Sequence, residues 1–243
     1  MKLIAVIPVY NHGEAVGAVV RAIRGHGLPV LLVDDGSEPG CAAVLDALAQ
    51  ADEGVQLCRL AVNQGKGGAV MAGLRAAAAQ GWTHALQIDA DGQHDTADVP
   101  KFAAAAAAEP GYFICGCPIY DASVPKARLY GRYATHVWVW INTLSMAVRD
   151  SMCGFRVYPL DRVVPLIDSV HIGRRMDFDV EVAVRLVWRG VPVRNVATRV
   201  RYPAGGVSHF RALQDNLLIS WMHTRLFFGM LPRLPLLLWR KLA

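Results

Sequence analysis

His84-Ala85-Leu86-Gln87-Ile88 runs without a break into Asp89-Ala90-Asp91-Gly92-Gln93-His94. A short, mostly apolar run that ends in carboxylates, an amide and a glycine reads as a buried strand emptying into a polar loop. The same shape occurs three times upstream. Leu3 to Val9 leads into Tyr10-Asn11-His12, Val30 to Val33 into Asp34-Asp35-Gly36-Ser37, and Val55 to Ala61 into Asn63-Gln64-Gly65-Lys66-Gly67-Gly68. Helical patterns separate these runs at Glu14 to Arg24, Ala42 to Ala51 and Ala69 to Gln80. Another lies around Pro100 to Glu109, before a fifth strand at Tyr112 to Cys115. Strands alternating with helices predict an α/β fold with right-handed crossovers and a mainly parallel sheet. Ligands of such sheets bind beyond the carboxyl ends of the strands. Polar clusters at four successive strand ends therefore predict one crevice lined by all four.

The second half is less regular. Lys126 to Val148 reads as a long helix carrying Tyr130, Tyr133, Trp138 and Trp140. Val157 falls in a short strand, Phe178 to Trp188 in a helix, and Val191 to Tyr202 in a strand. His209 to Met230 reads as a long helix, followed by a Leu-rich, basic tail broken by prolines. No internal repeat or linker stands out. The expected organisation is one domain over residues 1–212 and a helical segment over 213–243.

At 243 residues the chain can bury a sizeable core without disulfides or metal staples. Its 53% hydrophobic and 19% charged residues exclude a disordered or collagen-like chain. Mean hydropathy is high at +0.28. Yet His223, Arg225, Pro232, Arg233 and Pro235 interrupt the longest apolar stretches, so a spanning helix is not expected. A net charge of +5 suits an anionic ligand or a membrane surface and supports nucleic acid only weakly, so no nucleic-acid partner is expected. Five cysteines (41, 58, 115, 117 and 153) form no C-x-x-C pair, which argues against a zinc site or disulfide framework and fits a reducing cytosol. The N-terminal apolar run is too short for a signal peptide.

Asp89 and Asp91, two residues apart at a strand end, can converge on one hard divalent cation, Mg²⁺ or Mn²⁺, alongside diphosphate oxygens. Gln93 can add a neutral oxygen. A solvated acidic turn is the plain alternative. Asp35, after the second strand, can accept hydrogen bonds from a ribose or base, or serve a turn. The glycines from Gly65 to Gly68 allow close backbone approach, and Lys66 brings positive charge to a helix start that already favours anions. No G-x-G-x-x-G follows the first strand and the glycines lack Walker spacing, so dehydrogenase and P-loop readings lose ground.

In order and approximate spacing, Ile7-Pro8-Val9-Tyr10-Asn11, Val33-Asp34-Asp35-Gly36-Ser37, Asn63-x-Gly65-Lys66-Gly67 and Asp89-Ala90-Asp91-Gly92-Gln93 resemble inverting glycosyltransferase family 2. The resemblance covers about residues 2 to 210. It implies the GT-A fold, a Rossmann-like sheet flanked by helices, here with a C-terminal amphipathic helical tail. Within the family the chain looks like the polyprenyl-phosphate or dolichol-phosphate mannosyl- and glucosyltransferase branch. The resemblance implies that Pro8, Tyr10 and Glu14 border the nucleotide base and that Asp35 binds the base or its ribose. Lys66 would lie in the donor-side loop. Asp89 and Asp91 would hold the metal on the donor diphosphate, with Gln93 as helper and Asp91 among the catalytic residues.

Ser151-Met152-Cys153-Gly154-Phe155-Arg156 resembles the branch's S-G-F/Y-R segment, with cysteine where Ser or Thr is frequent, and puts Arg156 on the acceptor side. Arg128 and Arg132 lie one helical turn apart, placed either to grip an anionic acceptor or to form a solvated basic face. Cys117-Pro118 departs from the branch, which often has Arg near this point. Met176-Asp177-Phe178-Asp179-Val180-Glu181 resembles the family's F-D-x-E segment, making Asp179 and Glu181 candidate catalytic carboxylates. Two residues apart on a helix, they would point in different directions, one toward the acceptor and the other capping or positioning. An alcohol acceptor needs a general base, whereas an acceptor phosphate is already ionised. Arg201 to Ser208 resembles the late R-x-x-G-x-S segment, from which Arg201 and Ser208 would close over the donor diphosphate.

The tail mixes Leu226-Phe227-Phe228 and Leu236-Leu237-Leu238-Trp239 with Arg225, Arg233, Arg240 and Lys241. That pattern suits a helix in a membrane interface, or one packed on the protein or a second copy. The expected activity is inverting transfer of a sugar from a nucleotide-diphosphate sugar to a lipid-linked or glycolipid acceptor, polyprenyl phosphate among them. The expected location is the cytoplasmic face of a membrane, with homo-oligomerisation open. Alternatives are transfer to a hydroxyl of a glycan or lipid, a nucleotidylyltransferase, and a nonenzymatic nucleotide-sugar binding protein.

Overall fold

The computed structural model describes residues 1–120, 124, 126–201 and 212–242, with backbone only at 126–128 and 212. The first half alternates as expected: β1 (Leu3–Val9), α1 (Gly13–Gly25), β2 (Val30–Asp34), α2 (Pro39–Ala51), β3 (Val55–Arg59), α3 (Lys66–Ala79), β4 (His84–Gln87), α4 (Val99–Ala108) and β5 (Phe113–Tyr120). There follow α5 (Lys126–Thr143), β6 (Arg156–Pro159), α6 (Leu160–Ser169), α7 (Phe178–Trp188), β7 (Val193–Val200), α8 (Ala212–Met230) and α9 (Leu234–Leu242). The seven strands lie in the order β3-β2-β1-β4-β6-β5-β7. Only β6 runs antiparallel to its neighbours.

Every residue of β1 is buried. Helices cover both faces, so the alternation of side chains along the strand divides two cores rather than core from solvent. Leu3, Ala5, Ile7 and Val9 pack with Val16 and Val20 of α1 and Phe102 of α4, while Ile4 and Val6 pack with Val70 and Leu74 of α3 and residues of α6 and α7. The second core continues into the C-terminal helices through Ile219, Met222, Leu226, Met230 and Leu237.

Two boundaries and one helix differ most from the sequence-based expectation. α5 ends at Thr143 rather than Val148, because Leu144 takes a left-handed conformation (φ 48°) and the Ser145 N–H turns back to the Trp140 carbonyl. β5 runs on to Tyr120, paired throughout with β7. The Gly116 N–H donates to Phe155 on the β6 side, so the nitrogen of Pro118, two residues on, faces the same side beyond the last β6 pair, where no ladder bond is lost. The sequence reading assigns no element to α6, where Leu160, Val163, Leu166 and Ile167 bury one helical face despite Pro165 inside it.

Candidate active site

The carboxyl ends of β1, β2 and β4 open into a cavity of about 870 Å³, lined on this side by Pro8, Tyr10, Asp35, Lys66, Asp89, Asp91 and Gln93. The second half lines it too: Tyr120 of β5, Arg132 and Thr135 of α5, Arg175 before α7, beside Gly65, and Asp215, Asn216 and Ile219 of α8.

The paired aspartates after β2 divide their work. Asp34 is a clamp: Arg59 Nε lies 2.8 Å from one carboxylate oxygen and the Ser37 N–H donates to the other. Burial opposes its charge, but these contacts outweigh burial and hold the carboxyl below its ordinary range. Asp35 faces the cavity and accepts from the Gln64 N–H at 2.7 Å. There burial wins and raises its pKa.

Gly65 opens α3 with φ 84°, and a Cβ there would lie 2.6 Å from the Arg174 carbonyl oxygen. This close approach seats Lys66 at the helix start. Its ammonium lies 2.8 and 2.9 Å from the two oxygens of Asp89 and 3.0 Å from Asp179 Oδ2. Burial alone would lower the ammonium's pKa, but Asp179 and Asp89 raise it. Asp89 is in turn held far below the carboxylate range, against the cost of burial, by Lys66 and by His94 at 3.7 Å. Asp91 accepts from the Gln93 N–H at 3.0 Å, and its carboxyl is raised by burial and by the neighbouring Asp89 charge. Asp89, Asp91 and Gln93 offer hard oxygens in one cavity, and the buried Oδ1 of Asp89 has no well-formed hydrogen bond. That donor set suits Mg²⁺ or Mn²⁺ better than a soft metal. Among the described residues, no three His, Cys, Asp or Glu side chains converge on a metal position by themselves.

Other expected residues lie elsewhere. Glu14 is exposed in the first turn of α1 and does not line the cavity. Arg156 is fully buried and donates at 2.6 Å to the carbonyls of Ser151, Cys153 and Asp179, so it braces the cavity floor and cannot reach an acceptor. Asp179 and Glu181 diverge as their helical spacing requires. Asp179 joins Lys66 and accepts from Gln87 Nε2. Glu181 is wholly buried, binding Arg185, Arg225 and the Gly173 N–H, away from the cavity. A carboxylate so enclosed serves as a clamp, which corrects the catalytic role expected of it. Arg132 lines the cavity but holds Asp150 through two contacts of 2.6 and 2.9 Å. The Arg201 side chain is exposed, while its N–H donates to the Gln93 carbonyl and ties the end of β7 to the acidic loop. The Arg128 side chain and Ser208 lie outside the described residues.

Arg175, Asp215 and Asn216 were not anticipated. The Arg174-Arg175 pair before the Met176-Asp177 segment was a visible signal for the first; nothing in the sequence tied α8 to the cavity.

The family model for Glycosyl transferase family 2 matches residues 4–163. The polyprenol monophosphomannose synthase of Mycolicibacterium smegmatis is 26% identical over 210 residues, 80% of this chain and 76% of that protein. The dolichyl-phosphate beta-glucosyltransferase of Dictyostelium discoideum is 26% identical over 180 residues, 69% of this chain but 53% of its own, so the chain spans about half of that relative. Among solved structures, glucosyl-3-phosphoglycerate synthase from Mycobacterium tuberculosis, in complex with Mn²⁺, UDP-glucose and phosphoglyceric acid, superposes with TM-score 0.67 at 14% identity. It covers 94% of this chain and 79% of that one, a likeness of fold.

Proposed function

Because the chain belongs to glycosyl transferase family 2, we propose that it moves a sugar, with inversion, from a nucleotide-diphosphate sugar to a polyprenyl-phosphate acceptor at a membrane surface. One observation carries this reading: a single cavity is lined by Asp35, Lys66, Asp89 and Asp91 and by the cations Arg132 and Arg175.

Asp89, Asp91 and Gln93 would hold Mg²⁺ or Mn²⁺, which supplies positive charge to the diphosphate as it leaves. Lys66 adds its own charge to that side from the start of α3. Pro8, Tyr10 and Asp35 border the space for the nucleoside. Arg175 lies beside Gly65 and near enough to Asp35 to favour its charge, so it belongs to the donor side, while Arg132 of α5 is suited to orient an anionic acceptor for attack on C1 from the far face. Asp150 is ion-paired with Arg132 and held far below its ordinary range, against burial, by His136 and Arg132. Asp179 is paired with Lys66. Carboxylates so engaged are weak proton acceptors, which favours an acceptor that arrives ionised over an alcohol.

The membrane part rests on an apolar surface beside the cavity mouth. α8 exposes Leu213, Leu217, Trp221 and Phe228, and α5 exposes Tyr130, Tyr133, Val137, Trp138 and Ile141. α9 adds Leu238 and Trp239 beside Arg240 and Lys241. Among the described residues no helix is long and apolar enough to cross a membrane. An apolar face flanked by basic groups suits binding in the plane of an anionic interface, here the cytoplasmic one.

A thermal-shift panel of nucleotide sugars, each with and without Mn²⁺, tests the donor side, since a ligand that binds the native state raises its melting temperature. At least one UDP- or GDP-sugar is expected to stabilise the protein only when Mn²⁺ is present. No shift with any of them would contradict the proposal.

A further inference from the structure

We propose that Lys66 is a resident counter-cation of Asp89, and that it makes divalent-cation binding at Asp89 and Asp91 depend on the nucleotide sugar. The inference rests on the transferase reading above and concerns how its two ligands are coupled.

The ammonium of Lys66 does not touch one edge of Asp89; it lies within 2.9 Å of both carboxylate oxygens. Its third contact, Asp179 Oδ2 at 3.0 Å, anchors it from the other side, and Asp179 is itself held by Gln87. The ammonium thus sits among three carboxylate oxygens and donates a well-formed hydrogen bond to Asp89 Oδ2. The backbone that carries it is fixed too. Lys66 opens α3, the Gly68 N–H donates to the Arg174 carbonyl at 3.0 Å, and the same carbonyl crowds Gly65. The charge therefore cannot withdraw by a small backbone shift.

A divalent cation approaching Asp89 meets this ammonium about one contact distance from the oxygens it needs. In a half-buried site, like charges so close repel strongly. Nor do the protein ligands suffice alone. Two carboxylates and an amide fall short of the six oxygens that Mg²⁺ prefers, and no third His, Cys, Asp or Glu converges there among the described residues. A diphosphate answers both problems. Its oxygens complete the coordination, and they give Lys66 another anionic partner, so that the ammonium can leave Asp89 while keeping Asp179. Donor and metal then bind with positive coupling, and the coupling is reciprocal.

The test measures free Mn²⁺ by its electron paramagnetic resonance signal, using the full chain. Wild type is expected to bind Mn²⁺ alone weakly, and at least tenfold more tightly when UDP-glucose or GDP-mannose is added. Lys66→Met should bind Mn²⁺ alone at least tenfold more tightly than wild type and gain less from the nucleotide sugar. A gain of metal binding separates this role from a structural one. Lys66→Gln, which removes the charge but keeps a hydrogen-bond donor, gives the same reading if the methionine variant fails to fold. Variants that bind Mn²⁺ alone no more tightly than wild type overturn the inference while leaving the transferase reading intact. So does a wild type that binds Mn²⁺ equally well without nucleotide sugar. If wild type retains no Mn²⁺ with either nucleotide sugar, the transferase reading falls and this inference with it.

Discussion

Gly154 packs directly on the carboxylate of Asp89: a Cβ at residue 154 would lie 2.3 Å from Oδ2 and 2.6 Å from Oδ1. The loop before β6 thus sets the position of the acidic group after β4. Gly154→Ala must push Asp89 aside, and a displacement of about 1 Å at a reacting centre costs on the order of 100-fold in rate. Sugar transfer by this variant is expected to fall by about that factor, with a near-normal melting curve. Unchanged kcat/KM would mean that the position of Asp89 is not critical.

Asp35 carries a stability cost that its function explains. Burial raises its pKa above the ordinary 3.8, so ionisation is harder in the folded chain than in the unfolded one. The folded state therefore binds more protons in this window, and the group lowers stability as pH rises through it. Asp35→Asn keeps an acceptor for the Gln64 N–H and removes the buried charge. It should melt higher than wild type at pH 7, lose that advantage as the pH falls below 3.8, and bind nucleotide sugar less tightly. A lower melting temperature at pH 7 would refute this account of the group.

Glu181 should behave as a clamp and not as a base. Glu181→Gln leaves Arg185 and Arg225 without their shared anion. Removing one partner of a buried pair costs about 3–5 kcal/mol, and the partial exposure of both guanidiniums puts the expected loss at the lower end, about 3 kcal/mol. Chemical denaturation reads that loss. Turnover per folded molecule should stay within about tenfold of wild type, about 1.4 kcal/mol in barrier; a drop of several orders of magnitude would restore a catalytic role.

The tail is a poor target for testing membrane attachment, because Leu226, Met230 and Leu237 belong to the core. Leu217 and Trp221 are 63% and 61% exposed one turn apart on α8. The double variant Leu217→Glu, Trp221→Glu should keep its fold and lose flotation with vesicles containing phosphatidylglycerol. Salt should weaken residual binding through the basic groups. Flotation equal to wild type would remove α8 from the interface.

The sheet and the acidic edge of the cavity were legible because each depends on local pattern. Fully apolar strands such as β1 and the Asp-Gly turns after β2 and β4 announce themselves over a few residues. What was illegible depends on contacts distant in sequence. That Asp179 meets Lys66 while Glu181 meets Arg225 is set by how α7 packs against α3 and α8, not by the Phe-Asp-x-Glu spacing alone. Arg156 carries the charge of an acceptor ligand, and only its complete burial assigns its donors to three carbonyls. Leu144 carries no left-handed signature, so the early end of α5 could not be foreseen. Asp215 and Asn216 reach the cavity because α8 folds back across α5.

Transfer itself is the most direct test. The protein, vesicles containing polyprenyl phosphate, Mn²⁺ and either UDP-glucose or GDP-mannose are incubated, and the lipid fraction is weighed by mass spectrometry. The expected result is a lipid heavier by one hexose with wild type, and a yield lower by orders of magnitude with Asp91→Asn at a melting temperature no lower than that of wild type. Lipid of unaltered mass with both nucleotide sugars, or equal yield from Asp91→Asn, would contradict the account.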